Sequence, residues 1–100
     1  MDFIDICGVS AEYRFRRWPV NGGHDSMAGN YLVVCSPGPS QTVCVIGMAN
    51  DLSRLTSKVR ELNANEALFT RLNVARVARD EVHADLLARY ADAKVEVDSV

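Results

Sequence analysis

One hundred residues make one domain and leave no room for a second core. A hydrophobic share of 48% with 24% charged residues excludes a disordered or fibrous chain. A formal net charge of −2 argues against bulk electrostatic attraction to nucleic acid, leaving only a local basic patch for such a role.

The opening segment, 1–11, is mixed, with a short strand or a frayed arm around Phe3, Ile4 and Ile6. Its start, Met1-Asp2-Phe3-Ile4-Asp5, is acidic and carries no targeting pattern. Tyr13 to Trp18 then alternates as a strand, with Tyr13, Phe15 and Arg17 on one face and Arg14, Arg16 and Trp18 on the other. Pro19 stops it, since a central strand needs that amide donor. Asn21 to Ser26 is a polar, turn-rich loop, expected to be exposed. Tyr31 to Cys35 and Thr42 to Met48 read as two strands joined by the Pro- and Gly-containing connector 36–40, an antiparallel hairpin.

Asn50 or Asp51 caps the next element, a helix to about Leu62. Leu52, Leu55, Val59 and Leu62 fall on one stripe that faces the sheet. Glu66 to Arg71 suits either a helical turn or a loop, and Leu72 to Val77 alternates as a third strand. A second helix runs from about Arg79 to Ala91, with Val82, Leu86 and Tyr90 in line. The tail 94–100 alternates like a strand but is terminal. The expected fold is α+β: a small, mostly antiparallel sheet of three to four strands covered by two to three helices. It divides into an N-terminal extension with one strand (1–28), a core (29–91) and a tail (92–100).

Three cysteines, Cys7, Cys35 and Cys44, are odd in number and have no close pair, which reads as buried apolar side chains in a reducing compartment. His24 and His83 lie outside any zinc-ligand spacing, and no metal site is expected. No apolar run approaches the roughly 20 residues of a membrane span, so the expected location is cytoplasmic, with no membrane partner.

The order Gly29-Asn30-Tyr31, Val45-Ile46-Gly47, the helix after Asn50 and the late helix around His83 resembles the GIY-YIG nuclease core. The leading Tyr13-Arg14-Phe15 strand is similar to an extension in small members of that family. The resemblance implies metal-assisted phosphodiester hydrolysis, with two tyrosines activating water, a helix arginine on phosphate and a glutamate on the ion. Carried over by position, Tyr31 matches the first tyrosine. The second falls on Val45, the arginine on Leu55 with Arg54 one residue earlier, and the glutamate on His83. One residue rotates a helical side chain by about 100°, which turns Arg54 away from the arginine's direction.

The leading expectation is therefore a catalytically degenerate GIY-YIG-like module that binds a nucleic acid or protein partner. Nucleic-acid contacts are assigned to Arg14, Arg16, Arg17, Trp18 and Arg54, with the indole stacking on a base. The alternative is an endonuclease with a rearranged site using Tyr31 and His83, with Glu81 or Asp85. No cofactor is expected unless such activity survives, when magnesium or manganese would serve. A third reading is a homo-oligomeric assembly domain, self-associating through the Val45 strand or the second helix.

Overall fold

A computed structural model describes residues 3–18, 24–36 and 41–97. Pro19 as a strand stop, the Gly22-Gly23 part of the loop, connector residues 37–40 and tail residues 98–100 lie outside the described residues, as do Met1 and Asp2.

The strands are β1 (Phe3–Cys7), β2 (Glu12–Arg17), β3 (Gly29–Cys35), β4 (Thr42–Ala49), β5 (Glu66–Leu72) and β6 (Lys94–Val97). Among the described residues they form one sheet in the order β1-β2-β5-β3-β4-β6, antiparallel throughout except for the parallel β4–β6 pair. The expected sheet of three to four strands is thus corrected to a mixed sheet of six. The N-terminal segment supplies two strands, and the terminal alternation pairs as β6. The third strand also moves. It is β5, formed by the segment 66–72, because Leu68, Phe69 and Thr70 are buried in the sheet. The apparent alternation after Leu72 places Val74 and Val77 in solvent.

Two parallel crossovers set the layers. β4 and β5 run the same way on either side of β3, joined by a 3-10 helix (Leu52–Leu55) that continues as α1 (Thr56–Glu61). Asp51 caps this segment by accepting from the Ser53 amide at 3.0 Å. β5 and β6 also run the same way, joined by α2 (Arg76–Arg89), which passes over β3 and β4. The two connections lie on opposite faces. Val82 and Leu86 of α2 pack on Phe15, Leu32, Val34 and Ile46, while Leu52 and Leu55 pack on Trp18, Tyr31, Val33 and Leu68.

Central strand β3 is therefore covered on both sides, and its run of strong β-formers is apolar on both. Its one polar side chain beneath α2, Asn30, is buried and satisfied. It donates to the Arg79 carbonyl at 3.1 Å and accepts from the Asn73 amide group at 3.0 Å. That pair holds the first turn of α2, where no side chain provides a cap. Arg79 folds back to donate to the carbonyls of Asn73 and Val74.

Asp85 fixes the first hairpin. Its carboxylate accepts from the Ser10 and Ala11 amides at 2.8 and 3.2 Å and from the Tyr13 hydroxyl at 2.6 Å. A Cβ on Gly8 would fall 2.3 Å from Asp85 Oδ2, so a side chain there would displace the carboxylate. Asp85 is committed to tying α2 to β1–β2.

Candidate functional site

Three groups of side chains have the chemistry to be considered. The first is centred on Tyr31, which stands directly opposite Gly47 in the β3–β4 register. A Cβ at Gly47 would lie 2.2 Å from Tyr31 Cζ, so the glycine makes room for the ring itself. The hydroxyl then reaches β6 and donates to Glu96 Oε1 at 2.7 Å. Lys58 of α1 closes on the same carboxylate, with Nζ at 2.7 and 2.8 Å from its two oxygens. The Lys58 and Glu96 side chains are 23% and 12% exposed, and Tyr31 is fully buried. Burial alone would raise the Glu96 carboxyl. Hydrogen bonds from Lys58 and Tyr31, with the charges of Lys58 and Lys94, outweigh it and hold the group below the usual glutamate range.

His83 is on α2, across the sheet from this cluster. Its ring is buried, and Nδ1 has no hydrogen-bond partner among the described residues. Burial pushes its pKa down, opposed in part by Asp80, so the neutral imidazole is favoured. The structure does not bring Tyr31 and His83 together. Val45 is half-buried against the α1-side core and Leu55 is fully buried in it, a position worth about 2 kcal/mol of apolar burial. Arg54 points outward, 71% exposed, 3.7 Å from Asp51.

The second group surrounds β2. On the α1 side, beyond Trp18, the sheet face carries Arg14 and Arg16 of β2 and Thr70 of β5. Arg14, Arg16, His24 and Thr70 line a hollow of about 350 Å³ there, edged by Phe3 and Leu72. Arg14 is ion-paired to Asp5 at 2.9 Å and lies over the Phe3 ring, which is 53% exposed. A second hollow of about 540 Å³, beneath α1, has Arg17, Arg60 and Asn63 in its wall. Arg16, Arg17 and Arg60 have no ion-pair partner among the described residues. Trp18 sits between the hollows but is turned inward. It is a core residue, stacked on His24 at 4.9 Å between ring centroids. His24 in turn is within 2.6 Å of Thr70 Oγ1 through Nε2, so it is half-buried rather than part of a free loop.

The third group corrects the cysteine reading. Cys35 and Cys44 form a disulfide, with Cα atoms 6.0 Å apart. Val34 pairs with Val43 and Val33 with Val45, so Cys44 is the extra residue of a β-bulge. The bulge turns both Cys44 and Val45 toward the α1 side, where Cys35 also faces. Spacing alone gives no sign of this, because the pairing depends on one residue of register. Cys7 remains a free, exposed thiol.

Sequence reasoning missed Glu96, Lys58 as its partner, His24 and Arg60. The 94–97 alternation was the available signal for Glu96, but its pairing with Tyr31 spans 65 residues. No family model, curated protein or solved structure matches this chain. No helix among the described residues is long and apolar enough to cross a membrane.

The carboxylates also set a pH dependence. Asp85, held low first by the Tyr13 hydroxyl, and Glu96 both have folded pKa values below their unfolded ones. Their contribution is complete above the unfolded values, about 4, and is lost as pH falls through the folded ones. Urea midpoints are expected to decline gently below about pH 6.5, where the unfolded chain protonates His83 before the folded one does, and steeply below about pH 4. Asp85→Asn should lower the neutral-pH midpoint and flatten the steep acid limb; an unchanged limb would remove Asp85 from this role.

Proposed function

We propose that this chain is a binding module for single-stranded nucleic acid, acting without phosphodiester hydrolysis. The observation that carries the reading is the pair of cationic hollows flanking β2. Arg16 faces one and Arg17 and Arg60 the other, all without carboxylate partners among the described residues. Unpaired guanidiniums suit phosphate oxygens, and the exposed Phe3 ring beside Arg14 offers a surface for a base. Tyr31 supports the non-catalytic part. Its hydroxyl is buried and bonded to a carboxylate rather than free to activate water.

Anisotropy of a labelled oligonucleotide, titrated at several salt concentrations, tests this. Affinity is expected to fall steeply with salt. Arg16→Ala, Arg17→Ala and Arg60→Ala are each expected to weaken binding and lower the salt slope by about 1. Arg14→Ala and Arg54→Ala should do less, because each guanidinium already meets an aspartate. Salt-insensitive binding, or full affinity in the triple variant, would sink the reading. Supercoiled plasmid should stay intact with magnesium or manganese; nicking lost in Tyr31→Phe would restore a catalytic role.

A further inference from the structure

We propose that Cys35, Cys44 and Glu66 form a redox-gated site for a thiophilic divalent cation of the zinc type. The pair is a disulfide when oxidised, and the three residues are donors to one ion when it is reduced.

The three residues come from adjacent strands. Cys35 of β3 stands opposite Glu66 of β5, and Cys44 is the bulge residue of β4. One donor atom from each lies within 4.8 Å of the others, and all three residues are half-buried, open to an ion from solvent. Glu66 is already oriented. Its Oε1 accepts from the Asn63 amide at 2.8 Å, which leaves Oε2 3.5 Å from the Cys35 sulfur.

In the oxidised pair that carboxylate oxygen faces a sulfur with no proton to donate, so a disulfide staple alone gives it nothing to bind. A cation between the sulfurs and Oε2 does. Two thiolates and a carboxylate suit zinc, with a fourth position left for water. Such a centre carries a net charge of −1, and Glu66 lines the same hollow as the unpaired Arg17 and Arg60.

The chemistry balances with an external reductant of the dithiol or phosphine class. Two electrons and two protons break the S–S bond and give two thiols. Metal entry then forms two S–metal bonds and one O–metal bond and releases both thiol protons. An external disulfide reverses the sequence by accepting two electrons, and the ion leaves as the S–S bond returns.

Calorimetric titration of the full chain with Zn²⁺, before and after phosphine reduction, tests the site, with Co²⁺ absorption reporting thiolate ligation. The oxidised protein is expected to take up none. The reduced protein should bind one ion, with two protons released as judged from buffers of different ionisation enthalpy. Cys35→Ser and Cys44→Ser should each weaken binding by about 100-fold or more, and Glu66→Gln by about 10-fold or more. Cys7→Ser should leave it unchanged.

No uptake by the reduced protein would overturn the proposal. So would uptake that survives Cys35→Ser with Cys44→Ser, or that is unaffected by Glu66→Gln. If reduction alone unfolds the chain by circular dichroism, refolding on zinc addition supports the site, and failure to refold overturns it.

Discussion

Gly47→Ala is expected to destabilise the domain by about 3 kcal/mol, the upper part of the range for inserting a methyl group into a filled core. The new Cβ would lie 2.2 Å from Tyr31 Cζ and 2.6 Å from both Cε2 and the hydroxyl oxygen. The ring cannot step aside. It is fully buried, packed with Leu52, Leu55 and Leu68, and tethered at its hydroxyl to Glu96. In a domain of this size such a loss lowers the melting temperature by roughly 12–24 °C. The decisive control is Tyr31→Leu, which removes the far end of the ring. On that background Gly47→Ala should cost less than about 1 kcal/mol, the difference being the coupling between the two positions. Equal cost in both backgrounds would show that the glycine serves the backbone and not the ring.

Glu96→Ala is expected to cost about 3 kcal/mol at neutral pH, because it removes the counter-charge of Lys58 and a carboxylate acceptor of Tyr31 at once. Lys58 loses the carboxylate that neutralises its largely covered ammonium, and the buried Tyr31 hydroxyl loses its acceptor on β6. Changing all three together, Tyr31→Phe with Lys58→Met and Glu96→Leu, should recover most of that loss. Removing these three polar side chains together leaves none of them facing a partner lost from the trio. Hydrogen exchange adds a local readout. Among the described residues β6 is an edge strand paired to β4 alone, so its amides at residues 94–97 should exchange faster in Glu96→Ala. A single-variant cost within about 0.5 kcal/mol would make the cluster an incidental surface pairing. Oligonucleotide affinity should be unchanged in the triple variant, since none of the three residues lines either cationic hollow.

The cluster behind both expectations serves as framework. Tyr31, Glu96 and Lys58 join β3, β6 and α1, and Asp85 joins α2 to the first hairpin. Polar side chains that attract a catalytic reading are thus consumed in tying helices to strands. What is left uncommitted among the described residues lies elsewhere: Arg16, Arg17 and Arg60 around β2, and a carboxylate held beside two sulfurs.

Local pattern was legible where one face meets the core. The stripe Leu52, Leu55, Val59 and Leu62 lies against the α1-side core as its spacing requires, and Asp51 caps the segment before it. The hairpin of β3 and β4 and the helix carrying Val82 and Leu86 followed from propensity and period in the same way. β5 was not legible, because a strand buried on both faces loses its period-two signature. The sheet's extent was not legible either. Whether 3–7 and 94–97 pair depends on partners across the sheet, and a short strand has no stability until those edges are offered.

The sequence by itself determined which segments favour strand or helix and which residues are able to carry charge, sulfur chemistry or a hydroxyl. Only the tertiary structure decided which of those groups meet. It put Tyr31 on Glu96 and not near His83, and a one-residue bulge set Cys44 against Cys35. The physical reason is that propensity acts between neighbours in the chain. Side chains are brought together by strand order and register, which the burial of both faces of β3 selects collectively.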